Sequence, residues 1–189
     1  MATLLKAVDK IANTASVYCA YLKTLKISAT KNLQLLPVKK TSLSHLDYQI
    51  FNQDSNKLIT QLKGDILYLD PPYNGREYGS YYHLLNTIAL YENDFEPKGK
   101  AGLRPYKTSK FCLKSEAENV MFDLLQKCDF QHVFLSYNNK GFLSHHTIAE
   151  MMQSMGTYRY SKLDYQRFKS QSGSSKPRTT EYLHHLTKF

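Results

Sequence analysis

Four apolar residues run straight into two prolines: Ile66-Leu67-Tyr68-Leu69 is followed by Asp70-Pro71-Pro72-Tyr73. An unbroken apolar run of this kind is the pattern of a strand buried on both faces of a parallel sheet. Consecutive prolines lack the N–H groups that a central strand must donate, so the strand ends there. The tetrapeptide is therefore a loop at the carboxyl end of a core strand. In an open α/β sheet that is where ligands bind.

The rest of the chain supplies partners for such a strand. His132 to Tyr137 is a second buried strand, and Tyr48 to Phe51 reads as a short earlier one. These three are expected to be parallel neighbours, with Asp70 and Ser136 at the same edge. A short helix is predicted from Lys57 to Leu62, stopped by Gly64, and another from Tyr81 to Tyr91. Ser115-Glu116-Ala117-Glu118 has the form of a capping box opening a helix to about Cys128. Ser144 is placed to cap a helix through Met155, with Gly156 closing it. Tyr158 to Phe168 and Glu181 to Phe189 have no helix between them and predict a hairpin. Near the N-terminus, Leu4, Val8, Ile11, Ala15, Tyr18, Leu22 and Leu25 recur at steps of four and three, which predicts one long amphipathic helix. Alternating strands and helices indicate an α/β sheet. With 189 residues and no dividing linker, residues 1–189 are expected to form a single domain. Residues 1–47 are its N-terminal helix and connection, and 48–189 its motif-bearing α/β region.

Charge narrows the partner. The formal net charge is +9, and a polyanion such as nucleic acid is the commonest match. Lys98, Lys100, Arg104, Lys107 and Lys110 lie in a stretch without acids from Pro97 to Leu113. Arg167, Lys169, Lys176 and Arg178 form a second group. Tyr106, Phe111, Tyr165 and Phe168 are interleaved with them, giving cations for phosphates and flat rings for bases. No apolar run is long enough to span a bilayer, and no signal peptide is read at the N-terminus. Cys19, Cys112 and Cys128 are scattered, which argues against disulfides and zinc and suits a reducing cytoplasm. The pairs His145-His146 and His184-His185 lack a Cys or acidic partner at ligand spacing, so no metal is expected.

The chemistry that suits an acidic-Pro-Pro-aromatic loop is transfer to an exocyclic amine. Such an amine is a poor nucleophile because its lone pair is delocalised into the ring. Asp70 can accept one N–H and the carbonyl of Pro71 the other, with the prolines holding that carbonyl rigidly. Tyr73 can stack on a base that has left the helix. Arrangement of the reactants is then the main catalytic device.

Asp70-Pro71-Pro72-Tyr73 after an apolar strand resembles motif IV of the amino-group DNA methyltransferases. The surrounding sequence is similar to the D12-class adenine methylases, the group that includes the Dam-type enzymes. Residues Asp65 to Gly79 resemble the family's active-site loop, and Tyr82 to Ile88 the helix after it. Phe134 to Ser144 resembles the next strand and its loop, and Arg167 to Leu183 the final hairpin. The likeness covers most of the chain after about residue 48. It implies a partial Rossmann-like methyltransferase sheet, mostly parallel, with a C-terminal antiparallel hairpin. It implies methyl transfer from S-adenosylmethionine to N6 of adenine in double-stranded DNA, as in restriction-modification systems. Asp70, Pro71, Pro72 and Tyr73 are the implied catalytic residues.

For the cofactor, the resemblance implies Asp54, Asp70 and Ser136. Asp54 also suits a helix cap, and the two roles are compatible. Ser136, Tyr137 and Asn138 end the second strand beside the same pocket. The family's Gly-rich cofactor loop lies before these segments, yet no glycine precedes Gly64. The chain thus looks like the C-terminal catalytic part of the enzyme, from a split gene, an internal start or a remnant. Weak cofactor binding by the chain alone and a separate N-terminal half as partner are the corresponding expectations. The same loop suits RNA or cytosine N4 as acceptor, and an inactive nucleic-acid-binding fragment is the reading from another class.

Overall fold

The computed structural model describes residues 1–15, 17–20, 22–39, 47–92, 94–166 and 178–189. Packing divides the chain into two compact units. One comprises residues 1–50 and 77–107, the other 51–76 and 108–189.

The second unit holds a four-stranded sheet. Strand β1 is Lys63–Leu69, β2 Asp129–Asn138, β3 Gly156–Gln166 and β4 Arg178–Lys188. The order across the sheet is β1-β2-β4-β3. β1 and β2 are parallel, with Leu69 opposite Leu135. β4 runs antiparallel to both β2 and β3. The α/β sheet with its C-terminal hairpin thus forms as the sequence predicts. Its parallel part is confined to one pair, because the strand expected at Tyr48–Phe51 does not form. Those residues carry no ladder, and Tyr48 and Ile50 are exposed. Apolar character made them candidates, but a strand also needs an edge to pair with.

Helices α5 (Ala117–Lys127) and α6 (His145–Gln153) cover one face of this sheet. Met121, Leu124, Leu125, Ile148 and Met152 from the helices join Val133, Leu135 and Leu186 from the strands in one buried cluster. The alternate residues point the other way. On that face Ile66 is 63% and Tyr68 61% exposed, and Leu163 and Leu183 are exposed with them. Among the described residues of this unit, no helix lies on that face.

The remaining elements differ from expectation in instructive ways. The one-turn helix α2 (Ser55–Leu58) and a 3-10 turn at Ile59–Gln61 replace the helix predicted to Leu62. β1 has already begun at Lys63, so Gly64 is a strand residue and not a helix stop. α5 starts at Ala117 with Glu116 at its cap and no side-chain cap bond. The Ser115 capping box is therefore not used. Ser144 does cap α6, its hydroxyl accepting from the Thr147 amide at 3.0 Å.

In the first unit, helix α1 is Ala2–Ile11, not the long helix predicted to Leu25. Just past its end, Asn13 tethers the chain where it returns. Its Nδ2 donates to the carbonyl of Thr24 at 3.3 Å, and its Oδ1 accepts from Lys26 N at 3.0 Å. Tyr18 is held elsewhere: its amide donates to the Tyr81 carbonyl at 2.7 Å, and its carbonyl accepts from His83 Nε2 at 3.1 Å. The helix predicted from Tyr81 to Tyr91 is two, α3 (Tyr78–Tyr81) and α4 (His83–Leu90), broken at Tyr82. Among the described residues no helix is long and apolar enough to cross a membrane.

Candidate active site

The carboxyl end of β1 opens into a cleft of about 390 Å3. Asp70, Pro71 and Pro72 form one wall, and Asp54 and Ser55 line it from the start of α2. Ser109, Lys110 and Phe111, in a short 3-10 turn, complete the polar side, above Val120, Met121 and Leu124 of α5. The site thus combines two carboxylates, two serine hydroxyls, the Lys110 ammonium and the rings of Tyr68 and Phe111 over an apolar floor.

Asp54 serves as the cap it was expected to be. Its Oδ1 accepts from the Lys57 amide at 3.1 Å, while the residue also lines the cleft. Ser136 lies at the same carboxyl edge as Asp70, since Leu135 pairs with Leu69 in parallel register. It sits one strand over and is not among the residues lining the cleft.

Tyr73 is fixed by the turn that follows β2. Its carbonyl accepts from the Phe142 amide at 2.8 Å and from the Tyr137 hydroxyl at 3.2 Å. The Tyr137 oxygen in turn accepts from Leu143 N at 3.3 Å. The two tyrosine rings meet edge to face, with centroids 5.8 Å apart. Burial raises the Tyr137 phenol above its ordinary pKa, so it remains a donor. Gly141 permits this packing: a Cβ there would lie 2.2 Å from the Tyr137 ring. Asn138, also buried, donates to Glu181 at 3.1 Å and accepts from Lys140 N at 2.9 Å. The sequence pointed to Tyr137 as a rim residue but missed this bracing, along with Ser109, Phe142 and Gly141. For Gly141 and Phe142 the signal lay in the segment from Phe134 to Ser144, whose likeness to the family's strand and loop carried no role for either residue.

The basic residues separate into kinds. Lys98, Lys100 and Lys107 are exposed in the first unit. Arg104 is paired with Glu92, lies over the Phe95 ring at 5.6 Å, and keeps only 13% of its side chain exposed. Lys110 lines the Asp70 cleft and pairs with Glu116 at 3.3 Å. Arg167, Lys169 and Lys176, with Phe168, lie outside the described residues, as do the side chains of Tyr165 and Arg178.

The histidine pairs diverge. His145 stacks on Tyr182 at 4.6 Å, and His184 is fully buried with its Nδ1 2.9 Å from the Tyr158 hydroxyl. His185 faces the other side of the sheet, stacked on Phe134 at 4.3 Å, and His146 pairs with Glu150 at 3.3 Å.

Residues 1–154 match the family described as D12 class N6 adenine-specific DNA methyltransferase. The match includes the N-terminal residues, where the motif reading alone showed no likeness. Type II methyltransferase M.NlaIII of Neisseria lactamica is 49% identical over 192 residues, covering 100% of this chain and 57% of that protein. Type II methyltransferase M.FokI of Planomicrobium okeanokoites is 40% identical over 193 residues, covering 100% of this chain and 30% of its own length. Type II methyltransferase M.CviAII of Paramecium bursaria Chlorella virus 1 is 33% identical over 187 residues, 97% of this chain and 55% of that protein. The chain thus spans 57%, 30% and 55% of the length of these three relatives, respectively. No solved structure matches it.

Proposed function

This chain belongs to the D12 class of N6 adenine-specific DNA methyltransferases, and on that premise we propose that it is the catalytic part of an enzyme that methylates N6 of adenine in duplex DNA within a restriction-modification system. The observation that carries the reading is Asp70-Pro71-Pro72 lining a cleft at the end of β1, followed by a doubly braced Tyr73 carbonyl.

The cleft suits S-adenosylmethionine. Asp54 and Ser109 would offer polar partners, Phe111 a ring for its adenine, and the Asp70 carboxylate would favour its cationic sulfonium, while the Lys110 ammonium in the same cleft is paired with Glu116. When bound, that cofactor supplies an electrophilic methyl group on sulfonium. The chain's own work is to prepare the nucleophile. Asp70 accepts one N–H of the adenine amine, and the Pro71 carbonyl accepts the other. With both hydrogens held, the nitrogen lone pair is drawn out of conjugation and aimed at the methyl carbon. With the cofactor bound, the C–N bond would form as the sulfonium C–S bond breaks, and the amine's surplus proton would leave past the Asp70 carboxylate. Tyr73 gives the extruded base a surface to rest on. Lys98, Lys100 and Lys107 meet duplex phosphates, together with Arg167, Lys169, Lys176 and Arg178.

Full cofactor affinity is proposed to need a further segment carrying a Gly-rich loop, on the same polypeptide or a separate one. The exposed apolar residues Ile66 and Tyr68, and the edge of β1 that no described strand pairs with, support this. The test is transfer of labelled methyl to adenine-containing duplexes in the presence of such a segment, with the product identified as N6-methyladenine. Asp70→Ala should abolish transfer even at saturating cofactor. An active Asp70→Ala variant would remove the active site from this loop. Preferred labelling of RNA, or of cytosine N4, would replace the substrate and leave the site.

A further inference from the structure

Sequence alone groups Arg104 with Lys98 and Lys100 as one basic run. Their structural roles are different. Lys98 and Leu103 exchange two backbone hydrogen bonds, Lys98 N to Leu103 O at 2.9 Å and Leu103 N to Lys98 O at 2.8 Å. Inside that pair, Gly102 N donates to Gly99 O at 3.2 Å and closes a tight turn. Gly99 and Gly102 have φ of 69° and 65°, a left-handed conformation that strains other residues. At Gly99 a Cβ would meet nothing within 4 Å. The glycine is therefore required by backbone conformation and not by crowding. The exposed Lys98 and Lys100 lie on this small hairpin.

Below the tip, Arg104 is turned inward. Its guanidinium lies over Phe95 and pairs with Glu92, so the two ends of the segment are clasped together. A charge already neutralised and mostly covered gains little from a phosphate, because a new contact would first have to break the old one. An ordered tip gains more, since binding does not have to pay for its folding.

We propose that residues 97–105 form a preset hairpin that grips the DNA phosphate backbone through Lys98 and Lys100, and that Arg104 is a positioning residue held by Glu92 and Phe95. This rests on the proposed DNA substrate. It goes beyond it by dividing the basic run into contacts and a clasp.

Glu92→Gln separates the two roles. It adds one positive charge and releases Arg104. If Arg104 were a phosphate contact restrained by Glu92, binding would tighten and its salt dependence would steepen. If Arg104 is a clasp, binding weakens in spite of the extra charge, and Glu92→Asp restores most of the loss. The measurement is fluorescence anisotropy of a labelled duplex with the full chain over a series of KCl concentrations. Hydrogen exchange at the Lys98 and Leu103 amides is followed in parallel. The Lys98→Ala, Lys100→Ala double variant should lower the slope of log affinity against log salt by about 1.8, roughly 0.9 for each lost contact. Its amide exchange should stay slow, whereas Glu92→Gln should speed it. An unchanged slope in the double variant, or tighter binding by Glu92→Gln, overturns the proposal while leaving the DNA reading in place. A wild-type chain with no salt-dependent affinity for duplex DNA overturns the DNA reading, and this assignment with it.

Discussion

Asp70 and Tyr73 lie three residues apart, but their positions are maintained by different means. Asp70 is placed by where β1 ends, and two prolines make that end unavoidable. Tyr73 is placed by a carbonyl held from Phe142 and Tyr137, far along the chain. The first mechanism is legible in sequence; the second is not, because no local pattern tells a hydroxyl which carbonyl it will meet. Tyr137→Phe should therefore keep the ring packing but leave Leu143 N without its partner. A cost of about 1–3 kcal/mol in stability is expected, with reduced transfer, measurable by denaturant titration and methyl incorporation. Gly141→Ala should be at least as harmful, since the added carbon would sit 2.2 Å from the Tyr137 ring. At Tyr73 itself the ring should matter more than the hydroxyl. Tyr73→Phe is expected to retain most transfer, and Tyr73→Ala to lose about 1–3 kcal/mol of base stacking. Equal losses in the two variants would show that the ring does not carry the base.

At the scale of elements, the parts read correctly were those whose signal was local and whose partners were also present. β2, α6 and the final hairpin all have this character; β1 forms where expected, but in place of burial on both faces it packs on one, with Ile66 and Tyr68 exposed on the other. The long N-terminal helix failed where Asn13 bonds Thr24 and Lys26, and Tyr18 bonds Tyr81 and His83, contacts far along the chain that a hydrophobic period does not register. The 48–51 strand failed because apolar residues do not by themselves create a neighbouring ladder. The hairpin also contains a group with a measurable pH signature. His184, on β4, is fully buried beside Tyr158 of β3 and His145 of α6. Burial, and then the neighbouring His145 charge, bring its pKa down to about 4 from 6.5. The unfolded chain therefore binds a proton that the folded chain refuses between those values. Stability from this source is complete above about 6.5 and is lost as pH falls toward 4. His184→Phe should flatten the dependence of Tm on pH across that window relative to wild type. An unaltered difference between melting curves at pH 7 and pH 5 would assign the effect to other groups.

At the scale of the molecule, helices cover one face of the sheet among the described residues of its unit, and none covers the other. Parallel strands are normally covered on both sides. Here α5 and α6 serve one side, while Ile66 and Tyr68 remain more than half exposed on the other. β1 pairs with β2 alone among the described strands, leaving one edge of backbone donors and acceptors open. An exposed apolar edge strand invites pairing. The cleft beside Asp70 opens at the end of that same strand, so whatever pairs with β1 would also stand next to the cleft. Relatives such as M.NlaIII, of which this chain covers 57%, have ample further sequence to provide such a neighbour. We therefore expect the chain by itself to bind S-adenosylmethionine weakly or not at all, and to bind an apolar dye such as ANS through the uncovered face. Adding a segment with a Gly-rich loop, in cis or in trans, should strengthen cofactor binding and reduce dye binding together, because one docking event closes both the face and the cleft. Ile66→Asp, which places a charge on the face without touching Asp70, should block both changes. Tight cofactor binding by the chain alone, measured by calorimetric titration, would show that the cleft is complete without a neighbour on β1. Recovery of cofactor binding by Ile66→Asp with the added segment would show that docking does not use this face.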